Sequence, residues 1–122
     1  GITDSFADKL EIINCLGIVK GIACPHFDEE KEREPFVNKI IKSQRIDSCI
    51  CIEGNSALHI KDDMCYESIN FGKKKKCFKV VKKNNNVLKT RVNNLINFLN
   101  FYARYLLFTN YNNSLIIYSK RL

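Results

Sequence analysis
Two apolar, β-branched runs separated by an amphipathic stretch constrain this chain more than any other feature. Leu16 to Ala23, interrupted by Lys20, reads as a buried strand that ends at Cys24-Pro25, where proline pushes the preceding residue into extended geometry. Asp28 to Ser43 reads as a helix. Asp28 is a candidate N-cap, acids crowd the first turn, and Phe36, Val37, Ile40 and Ile41 form an apolar stripe. Pro35 is compatible with that helix only if it sits in the true first turn, with the acids before it in a loop. Ser48 to Ile52 is a second buried strand, followed by a Glu53-Gly54-Asn55 turn.

Beyond this strand–helix–strand unit the pattern becomes a meander. Ser56 to Ile60 and Met64 to Phe71 read as a hairpin around Lys61-Asp62-Asp63, and Cys77 to Val81 as a further short strand. The expectation is one α/β sheet with an antiparallel edge. After Lys83 the composition shifts to asparagine, lysine, tyrosine and aliphatic residues. Residues 1–83 are therefore read as the body and 84–122 as a basic tail. Val92 to Phe108 has helical periodicity in places, and Ser114 to Ser119 has strand character. The tail is expected to pack poorly on the body.

Charge follows the same partition. All 13 acids lie at or before Glu67, with 8 of the 20 basic residues, so that stretch nets −5. From Ser68 onward there are 12 basic residues and no acid. A basic tail raises nucleic acid as a partner, through Lys73 to Lys76 and the residues after them. Four lysines in a turn are more often a solvated loop, and no recognition motif accompanies them, so nucleic acid is not the expected partner. The apolar stretch Leu95 to Phe108, broken by Asn97, Asn100 and Arg104, is too short and too polar to span a bilayer, and no membrane partner is expected.

The six cysteines, Cys15, Cys24, Cys49, Cys51, Cys65 and Cys77, sit largely inside apolar runs. Cys49 and Cys51 would share a strand face, too close along one chain to bridge comfortably. Reduced core thiols in a cytoplasmic protein are the expectation. A zinc site is the sharper alternative, but the spacings do not suggest it, and neither metal nor cofactor is expected.

Chemistry concentrates at the two strand ends. In Gly21-Ile22-Ala23-Cys24-Pro25-His26-Phe27-Asp28 a buried strand delivers a histidine to its carboxyl end, where ligands bind in open α/β sheets. A lone histidine there is more often structural, yet it is also the usual general base. In Ile52-Glu53-Gly54-Asn55 the next strand ends in a carboxylate. If the strands are neighbours, Glu53 can orient His26 as the third member of a triad; otherwise it is a solvated turn acid.

These runs resemble the peptidase E family, the aspartyl dipeptidase and cyanophycinase group of serine peptidases. The resemblance rests on Cys24-Pro25-His26-Phe27, the acidic run Asp28 to Arg33, and Glu53-Gly54-Asn55-Ser56-Ala57-Leu58-His59. Upstream, Thr3-Asp4-Ser5-Phe6 and Leu16-Gly17-Ile18 resemble the stretches between nucleophile and histidine. The likeness covers about residues 1–83 and matches the C-terminal part of the family. It implies a partial three-layer α/β/α sheet similar to class I glutamine amidotransferases, with His26 as base and Glu53 as its carboxylate. Asp4 is the rival acid, and His59 is read as a strand-face residue. The implied substrates are short acidic peptides.

The departure from the family lies in the nucleophile. The family's serine sits in a Gly-X-Ser-Ala-Gly elbow upstream of the matched motifs, and none of Ser5, Ser43, Ser48, Ser56, Ser68, Ser114 or Ser119 is read as occupying one. With Gly1 in place of an initiating methionine, the chain is expected to be a piece of something longer, with an elbow encoded upstream or on a partner chain. Alone it is expected to be inactive. The alternatives are a non-catalytic remnant or subunit, and a basic nucleic-acid-binding module.

Overall fold
The computed structural model describes residues 1–4, 8–60, 66–71, 74–92, 94–97 and 115–119, with residues 66, 94–97 and 115–119 described by their backbone alone. The strands are β1 (Ile2–Thr3), β2 (Glu11–Ile12), β3 (Ile22–Cys24), β4 (Ser48–Ile52), β5 (Ser56–Ile60), β6 (Tyr66–Asn70), β7 (Cys77–Lys83), β8 (Asn86–Arg91), β9 (Asn94–Asn97) and β10 (Leu115–Ser119). Among the described residues one helix, α1 (Arg33–Lys42), lies between β3 and β4.

The strand–helix–strand reading holds at its centre. β3 and β4 pair in parallel, with Cys24 opposite Cys51, and α1 is the crossover between them. Antiparallel β7 and β8 then extend the sheet in the order β3-β4-β7-β8. The fold is therefore mixed α/β, with an antiparallel edge on a parallel pair.

The second strand has the expected bounds, Ser48–Ile52, but the first strand and the start of the helix differ from expectation. Only Ile22–Cys24 of the first apolar run is strand. Gly17 (φ 72°) and Gly21 (φ 119°) take left-handed backbone that interrupts an extended run, and they leave Leu16 and Ile18 91% and 72% exposed. The helix begins at Arg33 rather than Asp28, and Glu32 is its cap without a side-chain hydrogen bond. Pro35 falls in the first turn, where its missing N–H has no intrahelical acceptor to lose. At the other end Gln44 is left-handed (φ 60°). Arg45 N–H reaches Ile40 O at 3.0 Å and Gln44 N–H reaches Ile41 O at 3.1 Å, the bonding pattern of a Schellman stop.

The main core lies between α1 and this sheet. Val37, Ile40 and Ile41 from the helix stripe pack on Cys24, Cys49, Cys51 and Val80. Each such aliphatic side chain contributes about 1.5–3 kcal/mol on burial. Cys49 and Cys51 share the helix-facing side as their i, i+2 spacing requires, with sulfurs 3.9 Å apart. Of the described cysteines, Cys15 is exposed and Cys24, Cys49, Cys51 and Cys77 are buried, all as free thiols. Hydrogen bonding to Cys24 and Cys49, with burial, pushes the Cys51 thiol well above its ordinary value, and burial raises Cys77. Such thiols are poor nucleophiles. Cys65 lies outside the described residues.

The Glu53–Asn55 turn, with Asn55 left-handed at φ 58°, carries the chain from β4 into a second sheet of order β10-β5-β6-β9. The expected hairpin is there: β5 and β6 pair antiparallel from Ser56 opposite Asn70 to Ile60 opposite Tyr66. Strand pairing crosses residue 83. β7 and β8 form a hairpin through Asn84 (φ 55°), a conformation asparagine tolerates. Val87 packs on the main core, and buried Val92 joins Ile52, Leu58, Ile60 and Cys77 in a second cluster. Of the helix read over Val92 to Phe108, residues 94–97 are instead strand β9, parallel to β6. Residues 98–108 lie outside the described residues. The expected strand Ser114 to Ser119 is present as β10 on β5. Among the described residues no helix is long and apolar enough to cross a membrane, which leaves β-barrels unaddressed.

Candidate active site
The parallel pairing of β3 and β4 sends both chains off the same end of the sheet. The Phe27 N–H donates to Ile52 O at 3.1 Å, which seats the Pro25-His26-Phe27 turn against the Ile52-Glu53-Gly54 turn. His26 and Glu53 are therefore at the carboxyl ends of adjacent strands.

His26 adopts left-handed backbone (φ 53°), uncommon outside glycine but enriched for histidine. Its carbonyl accepts the Glu29 and Glu30 N–H groups at 3.1 and 3.4 Å, closing a tight turn. The imidazole is mostly buried, and Nδ1 lies 2.6 Å from Glu29 Oε2. Glu29 thus hydrogen-bonds His26. A carboxylate on Nδ1 holds the proton there and leaves Nε2 as the acceptor, the arrangement a general base needs.

Glu53 is held at both ends. Its N–H donates to Lys76 O at 3.1 Å, and its Oε2 accepts the Lys76 N–H at 2.8 Å. Asp28 bridges the two turns, accepting the Gly54 N–H at 2.8 Å on Oδ1 and the Lys75 ammonium on Oδ2. Burial pushes the Asp28 carboxyl up, but Lys75 and the Gly54 N–H outweigh it and hold it below the usual carboxylate range. Of the lysine run, Lys75 is thus engaged with Asp28, and Lys73 lies outside the described residues.

The rival acid Asp4 takes a different partner. Its Oδ1 lies 3.7 Å from Nη2 of Arg33, whose side chain is buried. Arg33 also donates from Nε to Glu30 Oε2 at 2.5 Å and from Nη1 to Ile2 O at 3.1 Å. This cluster fastens β1 to the start of α1. His59 is a strand residue as read, though buried: it lies directly across from Glu67, with Nδ1 3.3 Å from Glu67 Oε2.

Gly54-Asn55-Ser56-Ala57 carries the first four positions of an elbow motif with Leu58 in the fifth. The structure gives it a different role. Ser56 opens strand β5 rather than a strand-to-helix turn, is fully buried, and its hydroxyl donates to Glu53 O at 2.7 Å. Sequence reasoning missed Glu29 and Asp28 as site residues because both were read as helix-start acids. Their spacing of two and three residues after His26, inside a turn closed before Pro35, was the available signal. Among the described residues no group of histidine, cysteine, aspartate and glutamate is arranged to hold a metal ion.

Comparison with known proteins points the same way. An uncharacterized peptidase of Bacillus subtilis (strain 168), YgaJ, is 31% identical over 81 residues, which is 66% of this chain and 35% of the relative. The matched stretch thus spans about a third of that protein's length. No solved structure matches. The model of peptidase family S51, the group of peptidase E and cyanophycinase, matches residues 1–67, more than half of the 122. The stretch that carries His26, Glu29, Glu53 and the crossover helix is that of a known peptidase family, and the chain belongs to peptidase family S51.

Proposed function
We propose that this chain is the acid–base portion of a serine-type peptidase that hydrolyses short Asp-containing peptides, with His26 as general base and Glu53 as the carboxylate that supports it. The observation that carries the reading is the seating of the His26 turn on the end of β4, through the Phe27 N–H to Ile52 O bond. A serine hydroxyl placed at Nε2 would pass its proton to His26 while attacking the peptide carbonyl. His26 would then return that proton to the leaving amine. Either flanking carboxylate can stabilise the imidazolium: the hydrogen bond favours Glu29, and the family's acid-Gly motif favours Glu53. The same reading implies a glutamine amidotransferase-like arrangement, with a further helical layer on the sheet face opposite α1.

A non-catalytic subunit is the second reading, favoured by the lack of any complete Gly-X-Ser-X-Gly in the sequence and by the buried position of Ser56. One experiment separates the two. The 81-residue matched stretch of the Bacillus peptidase is exchanged for that of this chain, and labelling by a fluorophosphonate is followed. The chimera is expected to label, with a rate at least about 10³-fold lower in His26→Ala and an intermediate loss in Glu53→Gln. Labelling unaffected by His26→Ala would remove His26 as base. Failure of the folded chimera to label would favour the subunit. The chain alone is expected to be silent.

A further inference from the structure
Asp28 and Glu29 both lie against the same glycine. Asp28 Oδ1 accepts the Gly54 N–H at 2.8 Å, and a Cβ on Gly54 would meet Glu29 Oε1 at 2.3 Å, so the Glu29 carboxylate lies directly over the glycine. The other oxygen of Glu29 takes His26 Nδ1. The chain from the neighbouring strand end to the imidazole therefore runs through Gly54, with Asp28 as the bond that fixes its N–H.

We propose that Asp28 is a positioning residue for His26: by holding the Gly54 N–H it locks the histidine turn onto the Glu53–Gly54 turn and sets the seat on which Glu29 orients the imidazole. The proposal rests on the reading of His26 as a base and adds a residue that acts on it through Gly54. Two features support it. The turn it fastens is in left-handed backbone at His26, a conformation that persists when the surroundings over-determine it. The Asp28 carboxylate is also held on its second oxygen by Lys75, from the segment just before β7, so the clamp joins three separate stretches of chain. Lys75 and the Gly54 N–H keep that carboxyl ionised against the opposing effect of burial.

The test uses the full chain and needs no hydrolysis. Imidazole ¹⁵N shifts report which His26 nitrogen carries the proton, and amide exchange reports the Gly54 N–H. In the wild type, the proton is expected on Nδ1, and the Gly54 amide is expected to be protected relative to that of Asn55. In Asp28→Ala the tautomer preference is expected to fall and Gly54 to exchange roughly tenfold faster, the effect of losing one hydrogen bond to a charged group. Asp28→Asn keeps an acceptor for Gly54 and is expected to retain both signatures. A folded Asp28→Ala with unchanged imidazole shifts would overturn the proposal, as would an unprotected Gly54 amide in the wild type or loss of the signatures in folded Asp28→Asn. A chimera that fails to label while these signatures hold would remove the peptidase reading and leave the positioning role standing.

Discussion
Residues 1–67, which the family model matches, and the β7–β8 hairpin, which it does not, contribute to one sheet in different ways. The first region supplies the candidate site: parallel β3 and β4, the crossover helix, and the turns bearing His26 and Glu53. The second supplies the support. β7 buries Cys77 and Val80 against β4, and the residues leading into it hold Asp28 through Lys75 and Glu53 through the Lys76 N–H. From β8, Lys89 pairs with Glu34 and sits over the rings of Phe27 and Phe78 at 5.7 and 5.2 Å. The difference teaches that the family match carries the candidate site residues, whereas the contacts that hold their turns reach past it.

The strongest way to break this comparison is to delete the hairpin. Excising Cys77 to Arg91, which leaves β9 and β10 in the chain, exposes one edge of β4 and uncovers Cys49 and Cys51, which are fully buried. The product is expected to lose its cooperative urea transition. A shortened chain that unfolds with the wild-type midpoint would show that the hairpin is an appendage.

A smaller effect is expected within the matched region. Arg33→Met removes a buried guanidinium and leaves Glu30, itself only 14% exposed, without its 2.5 Å partner. The expected loss is about 2–4 kcal/mol, read as a lower urea midpoint, with partial recovery in Arg33→Met/Glu30→Gln. No recovery in the double variant would assign the cost to the Arg33 bond with Ile2 O instead.

The smallest effect sharpens the contact between the regions. Because the folded-state pKa of Asp28 lies below its unfolded value, its contribution is present above the unfolded pKa and is lost as pH falls through the folded one. Wild type is expected to exceed Asp28→Asn by about 1 kcal/mol at pH 6, with the gap closing below about pH 4. A gap independent of pH would mean that the Lys75 pairing contributes nothing.

Strand β4, the helix stripe and the β5–β6 hairpin were legible because each rests on a local period. Cys49 and Cys51 show their common face, and Val37, Ile40 and Ile41 their stripe, without any knowledge of the rest of the chain. His26 and Glu53 were legible as strand-end residues for the same reason. What local pattern does not contain is partner choice. Nothing near Glu29 announces that its carboxylate bonds an imidazole three residues back, and nothing near Asp28 announces a glycine 26 residues on. Strand β8 is hard to read for a related reason: Asn86 to Arg91 has the bias of a loose polar segment, and only pairing with β7 makes it a strand.

Native-state hydrogen exchange on the full chain tests most directly whether the site-bearing strands and the hairpin beyond them are one unit. The account predicts that the amides of β4 and β7, and that of Val92, which donates to Cys77 O at 2.8 Å, open with the same free energy and the same denaturant dependence. Amides of β7 and Val92 that exchange through a separate opening, orders of magnitude faster than those of Cys49 to Cys51, would contradict it.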